Sequence, residues 1–297
     1  MRFVGIEAGG TKFVCIVGND KGRIEKRIEV PTETPKVTMG RILDFLEEQD
    51  LIKPIDAIGI GSFGPIDPDP NSAKFGYITS TPKQAWQDCN LVGMIRQKFD
   101  VPIGFDTDVN TAALGELYWG AGQGCKHLVY ITVGTGIGAG LILNGRLQHG
   151  AMHLEMGHMR IPHDRNKDPF DGVCPYHGDC LEGLASGPAV KARYHVDSAM
   201  HIPPQHPLWD IESDYLALAI VNVILCYSPE RIILGGGVMK QKQLLPMIQQ
   251  KVIKLLNGYI QNQSITEIEK TIVLAALEQE AGNIGALALA KLAQSKV

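Results

Sequence analysis

Apolar residues fall in short blocks broken by glycine, and the blocks predict a mixed α/β protein. Phe3-Val4-Gly5-Ile6 and Phe13-Val14-Cys15-Ile16-Val17 flank Ala8-Gly9-Gly10-Thr11-Lys12, which predicts two strands joined by a tight Gly-Gly turn. Val37, Ile42, Leu43, Phe45 and Leu46 recur at helical spacing over 36–49. Asp56 to Gly61 reads as a short buried strand ended by Ser62-Phe63-Gly64-Pro65. Leu91 to Phe99 reads as a helix, Pro102 to Phe105 as a strand and Asn110 to Trp119 as a helix with an Ala/Leu face.

The second half repeats the scheme. Leu128 to Val133 and Gly138 to Leu143 form another strand–glycine turn–strand unit. A helix at about 214–227, a strand at Arg231 to Leu234, a helix from Leu244 to Leu256, a strand at Thr271 to Ala275 and a helix from Ala281 to Lys291 follow. This echo is too long and too weak for a short repeat array. It predicts a duplicated α/β unit with a nucleotide between two lobes, 1–119 and 120–280, the second with a metal clip at 158–180.

Composition narrows the class. A chain of 297 residues with 44% hydrophobic and 20% charged residues is expected to be an ordinary soluble protein. A net charge of −4 speaks against nucleic acid or an anionic membrane as partner. The N-terminus carries no signal-peptide core, and the longest uncharged stretch, 128–143, is shorter than the roughly 20 residues of a spanning helix. Six cysteines are too sparse for a disulfide scaffold, so a cytoplasmic setting is expected.

Cys174-Pro175-Tyr176-His177-Gly178-Asp179-Cys180 places two thiols and an imidazole at two-residue gaps. Zinc favours four nitrogen or sulfur ligands in a tetrahedron, and a closed set of four is structural because no position remains for water. His158 is the first choice for the fourth ligand, with His153 and His163 as competitors. Gly9-Gly10-Thr11-Lys12 joins two strands, so it is not a Walker loop, but glycines there let backbone N–H groups approach a polyphosphate. Gly134-Thr135-Gly136 is the matching turn, and Gly235-Gly236-Gly237 is a third site of close approach. Asp108, at the end of an apolar strand, is either a helix N-cap or a general base.

In this order the segments Gly5-Ile6-Glu7-Ala8-Gly9-Gly10-Thr11-Lys12, Asp106 to Glu116, Val133 to Gly140, Glu155-Met156-Gly157-His158, the Cys/His clip and Leu234 to Val238 resemble the ROK family of sugar kinases over nearly the whole chain. The resemblance implies a two-lobed, actin-like (ribonuclease-H-like) fold with an interlobe cleft, in which the C-terminal helix at 281–297 packs back on the first lobe. It also implies ATP-dependent phosphorylation of a hexose, with Mg²⁺ on the nucleotide, and a homodimer. Asp108 matches the family's catalytic base. Glu155, His158 and Glu182 match its sugar contacts, with Gly64, Pro65 and Thr107 beside them. His158, Cys174, His177 and Cys180 match its zinc ligands. Gly9, Gly10, Thr11, Lys12, Thr132, Gly134, Thr135, Gly136, Pro188, Gly235, Gly236 and Gly237 correspond to its ATP and phosphate contacts, and Glu7 to an acid linked to Mg²⁺ through water.

Three positions depart from the common pattern. Glu7 stands for Asp, Thr107 for Asn, and His177 for a third Cys. Residues 7–13, Gly61 to Ile66, and Gly76 to Lys83 with Trp86 resemble the fructokinase branch, so D-fructose is the expected substrate. The alternatives are a kinase for mannose, glucose or an N-acetylhexosamine, or a catalytically silent sugar-sensing regulator. Trp86 either packs over the sugar or anchors its loop.

Overall fold

The structure is a computed structural model, and it describes residues 1–295 except Pro82. Pro82, in the segment expected to lie over the sugar, and positions 296 and 297 of the expected C-terminal helix fall outside the described residues. In chain order the elements are β1 (Arg2–Ala8), β2 (Lys12–Asn19), β3 (Ile24–Pro31), α1 (Pro35–Ile52), β4 (Ala57–Ser62), β5 (Tyr77–Ile78), β6 (Cys89–Asn90), α2 (Leu91–Arg96), β7 (Ile103–Thr107) and α3 (Asp108–Trp119). Then follow β8 (Leu128–Val133), β9 (Ile137–Leu143), β10 (Arg146–Leu147), α4 (Leu181–Ala185), α5 (Gly187–Tyr194), α6 (Leu208–Tyr227), β11 (Arg231–Gly235), α7 (Leu244–Leu256), α8 (Gln263–Thr266), α9 (Ile268–Thr271), β12 (Ile272–Leu274) and α10 (Ala281–Gln294). Among the described residues no helix is long and apolar enough to cross a membrane.

The chain divides into two compact units. The first comprises Met1–Gln123, Leu147–His153 and Gln279–Val297; the second comprises Gly124–Arg146 and Leu154–Glu278. The sheet of the first unit runs β3-β2-β1-β4-β7. The β1–β2 and β2–β3 pairs are antiparallel, whereas β4 joins β1 and β7 joins β4 in parallel. The sheet of the second runs β10-β9-β8-β11-β12, with β8–β9 antiparallel and β8–β11–β12 parallel. Each unit is thus a hairpin extended by parallel strands, and each hairpin closes on a glycine turn, between Ala8 and Phe13 and between Val133 and Ile137.

β3 lies outside the strands read from the sequence. Its alternation of Ile24, Ile28 and Val30 with charged residues is the signal for a half-covered edge strand. α6 begins six residues before the expected start at 214. Its first turn holds Leu208 and Trp209, both buried, and Trp209 donates its indole N–H to the Pro203 carbonyl at 2.9 Å.

The core of the first unit gathers Val4, Ile6, Phe13, Ile42, Leu46, Ile58, Ile60, Trp86 and Phe105. Trp86 is buried, donates to the Glu33 carbonyl at 2.8 Å and packs on Phe13 with ring centroids 5.0 Å apart. It therefore anchors its loop into the core. α10 packs on β1, β4 and α3 of the same unit, and small residues allow the close approach. A Cβ on Gly5 would stand 2.8 Å from the Asn283 carbonyl oxygen, and one on Gly59 would overlap the Ala286 backbone. The second core is built on the buried face of α6 with Val129, Ile131, Ile232, Leu234, Ile248 and Val252.

Candidate active site and metal cluster

In the first unit three strand ends carry the predicted residues. At the β1–β2 turn Gly9 donates to the Lys12 carbonyl at 3.1 Å, and a Cβ on Gly9 would stand 2.6 Å from that oxygen. Thr11 and Lys12 are exposed, and the Lys12 ammonium pairs with Glu29 at 2.7 Å. Glu7, near the end of β1, has its acid raised to about 7, first by burial and then by the charges of Asp108 and Glu280. Its carboxylate lies against Gly282 of α10, where a Cβ would stand 2.7 Å from Cδ.

The β7–α3 junction separates the two roles the sequence left open for Asp108. Thr107 is the N-cap: its hydroxyl accepts the Asn110 N–H at 3.1 Å. Asp108 is the first helical residue, and its carboxylate accepts the Val109 N–H at 2.8 Å. Asp106, buried, accepts the Thr107 N–H at 2.8 Å and the Asn110 amide at 2.7 Å. Gly64 and Pro65 follow β4, and Ile66 after them donates its N–H to His153 Nε2 at 3.2 Å. His153 is therefore bound to this loop.

In the second unit the Gly134-Thr135-Gly136 turn is tied at three points. Gly134 donates to the Gly136 carbonyl at 2.9 Å, Gly187 to the Gly134 carbonyl at 2.8 Å, and Ile137 to Glu182 Oε2 at 2.9 Å. A Cβ on Gly136 would stand 2.6 Å from that carboxylate oxygen. Pro188 lies in the first turn of α5, which Ser186 caps through the Ala189 N–H at 3.3 Å. Thr132 pairs with Gly138 on one side and with Gly235 on the other. Gly235 faces Tyr130 and Gly236, at φ +90°, faces the Val133 backbone so closely that neither admits a Cβ. A Cβ on Gly237 would meet nothing within 4 Å. Glycines thus clear one surface beside β8 and β11.

Glu155 precedes a 3₁₀ turn, Met156–His158, that presents His158 to the clip. Cys174 and Gly178 exchange backbone hydrogen bonds at 3.2 and 2.9 Å, which closes the tip around Tyr176 and His177. One ligand atom from each of His158, Cys174, His177 and Cys180 lies within 4.8 Å of all the others, and such a group could hold a metal ion. His158 Nδ1 stands 3.8 Å from the Cys174 sulfur and 3.5 Å from the Cys180 sulfur; His177 Nδ1 stands 3.6 Å from Cys174. A tetrahedral ion at ordinary sulfur and imidazole bond lengths separates neighbouring S and N atoms by about 3.6 Å, so the donor set fits one. His163 is engaged elsewhere: its Nδ1 lies 3.2 Å from Asp179 Oδ2 and its Nε2 2.9 Å from the Asp168 carbonyl. Two residues on from Cys180, Glu182 links the clip to the 134–136 turn.

The sequence reading missed His149 and Gly282. His149 Nε2 lies 2.9 Å from Asp106 Oδ2, and Asp106 raises the imidazole's affinity for its proton. No local spacing marks either residue, because each meets its partner across long stretches of chain.

A fructokinase from Lactococcus lactis subsp. cremoris is 47% identical over 86% of this chain and 85% of its own length. A fructokinase from Pediococcus pentosaceus is 45% identical over 97% of each chain. Among solved structures, a ROK family glucokinase from Streptomyces griseus in complex with glucose and AMPPNP superposes with a TM-score of 0.76 at 25% identity, covering 98% of this chain and 100% of that one. The ROK family profile matches residues 3–293. That range spans both glycine turns, the β7–α3 junction and the clip, and with the identities of these relatives it shows that the chain belongs to the ROK family.

Proposed function

We propose that this chain transfers the γ-phosphoryl group of ATP to the 6-hydroxyl of D-fructose. The reading of the chemistry is carried by Asp108, an acid at the first helical position of α3 whose capping duty Thr107 has taken. The choice of fructose rests on the relatives named fructokinase.

The chain's work is positioning and charge stabilisation. Asp108 accepts the proton of the attacking hydroxyl. Glu155, His158 and Glu182, with Gly64, Pro65 and Thr107, hold the sugar hydroxyls. Backbone N–H groups of Gly10, Thr11, Thr135 and Gly136 hold the phosphates, with Gly9 and Gly134 closing the turns that present them, aided by Lys12 and by Thr132 and Pro188. Gly235, Gly236 and Gly237 leave a flat surface for the base. Glu7 is a hard oxygen donor suited to a nucleotide-bound Mg²⁺, which it would reach through water; that ion would neutralise phosphate charge. Zn²⁺ fits the two-thiol, two-imidazole cluster, and His158, with Nδ1 turned to the sulfurs, keeps Nε2 for the sugar. A homodimer in the cytoplasm completes the proposal.

The test is a panel of hexoses in an ADP-coupled assay. Fructose should give the highest kcat/KM, and equal rates on glucose would defeat the fructose assignment. Asp108→Asn should cut kcat by about 10²–10⁴-fold at little-changed sugar affinity; near-normal turnover would overturn the base.

A further inference from the structure

The segment Leu147–His153 belongs to the first unit although the second unit's chain lies on either side of it. It carries two histidines that neither the metal cluster nor the chemistry above uses. His149 Nε2 lies 3.1 and 2.9 Å from the two oxygens of Asp106. With the Asp106 oxygens accepting, Nε2 carries the proton and donates, the direction in which Asp106 strengthens the imidazole's hold on its proton. The Asn110 amide nitrogen stands 3.3 Å from Nε2 because both donors converge on Asp106. Asp106 is 3% exposed and also accepts the Thr107 N–H at 2.8 Å. It is thus a buried acceptor tying the end of β7 to the first turn of α3, two residues before Asp108.

His153 is 4% exposed, and its Nε2 accepts the Ile66 N–H at 3.2 Å, so its proton sits on Nδ1. The ring also stands 3.5 Å from where a Gly64 Cβ would be. β4 and β7 are neighbours in the sheet, with Ser62 opposite Thr107. One seven-residue segment therefore grips, through two imidazoles, the end of β7 and the loop that leaves its neighbour β4.

We propose that His149 and His153 are positioning residues of the hexose site. His149 fixes Asp106 and through it the direction of Asp108; His153 fixes the Gly64–Pro65 loop. The inference rests on the roles given above to Asp108 and to Gly64–Pro65. A histidine that merely fills the core would lower stability and active fraction alike, without separating kcat from KM. The two grips predict a split, because the β7–α3 junction orients the base and the Gly64–Pro65 loop shapes the sugar contact.

The experiment compares His149→Ala, His149→Gln, His153→Ala and His153→Gln in the full chain. It reads steady-state kinetics with fructose, hydrogen–deuterium exchange and thermal unfolding. His149→Ala should lower kcat by about 10–100-fold with KM within threefold and speed exchange over 106–111, since small misplacements of a reacting group are costly. His153→Ala should raise KM for fructose by about tenfold at little-changed kcat and speed exchange over 63–67. Each Gln variant should recover most of its loss, by donating to Asp106 or by accepting from Ile66. Kinetics within twofold of wild type for both Ala variants, or exchange raised evenly across the unit with no kcat–KM split, would overturn the proposal. If the wild type turned over no hexose, the functional reading alone would fall. The exchange arm would still judge the two grips: unchanged exchange over both loops refutes them, and local loosening upholds them.

Discussion

Gly282→Ala is the sharpest perturbation of Glu7, the acid proposed to serve the nucleotide-bound Mg²⁺. A methyl there would stand 2.7 Å from Cδ and Oε1 of Glu7 and 3.0 Å from Oε2. Ordinary contact begins at 3.4 Å, so the carboxylate must withdraw by about 0.7 Å, less than the 1 Å displacement that can cost 10²-fold in rate. The helix cannot yield instead: the α10 backbone already lies on Gly5 and Gly59, and Gly285 meets the Thr111 carbonyl. For stability, alanine gains about 1 kcal/mol in helix propensity and loses about 1–3 kcal/mol to overpacking, so the net cost is small. For activity, kcat/KM for MgATP should fall by about 10–50-fold while KM for fructose moves little. Glu7→Asp withdraws the carboxylate by one methylene. It should harm the wild type and partly rescue Gly282→Ala, a reversal of sign that a double-mutant cycle reads as coupling of about 1 kcal/mol or more. MgATP titrations at saturating fructose measure it. A Gly282→Ala enzyme within twofold of wild type, or Glu7→Asp harming both backgrounds equally, would refute the reasoning.

Other outcomes follow from the same geometry. Because folded Glu7 keeps its proton to about pH 7, against an ordinary value of 4.5, it lowers stability progressively as pH rises from about 4.5 through 7. Glu7→Gln should therefore raise unfolding stability by about 2–3 kcal/mol at pH 8 and by under about 1 kcal/mol at pH 5 in urea titrations; a gap independent of pH would contradict it. Cys180→Ala should lower zinc content from one per chain to near zero by elemental analysis and raise KM for fructose, and full activity without zinc would refute the clip's role. Glu182→Ala frees the Ile137 N–H and loosens the Gly134–Gly136 turn, so KM for ATP should rise about tenfold together with that for fructose; an effect on fructose alone would contradict the link. Gly59→Ala forces α10 off the sheet and should cost about 3 kcal/mol or more, visible as a lower melting temperature; an unchanged melting temperature would count against that packing.

Local pattern carried much of the fold. The two strand–glycine–strand units, α7 and the apolar stretch of α6 were legible because hydrophobic spacing and turn chemistry act over a few residues. β3 was hidden among charged residues, since an edge strand is covered on one face only. The clip was visible as a ligand-rich tip, and spacing alone left His153, His158 and His163 in competition. Tertiary structure separated them: Nδ1 of His158 faces the two sulfurs, His163 faces Asp179, and His153 accepts from Ile66. It likewise gave the cap of α3 to Thr107 rather than Asp108. The chain by itself determined which chemistries were present, two glycine turns, an acid at a strand end and a thiol–imidazole tip, because these are properties of neighbouring residues. Only the folded chain decided that His149 meets Asp106 across 43 residues and that Gly282 makes room for Glu7 from the far end of the sequence, because packing is set by what the sheet brings together.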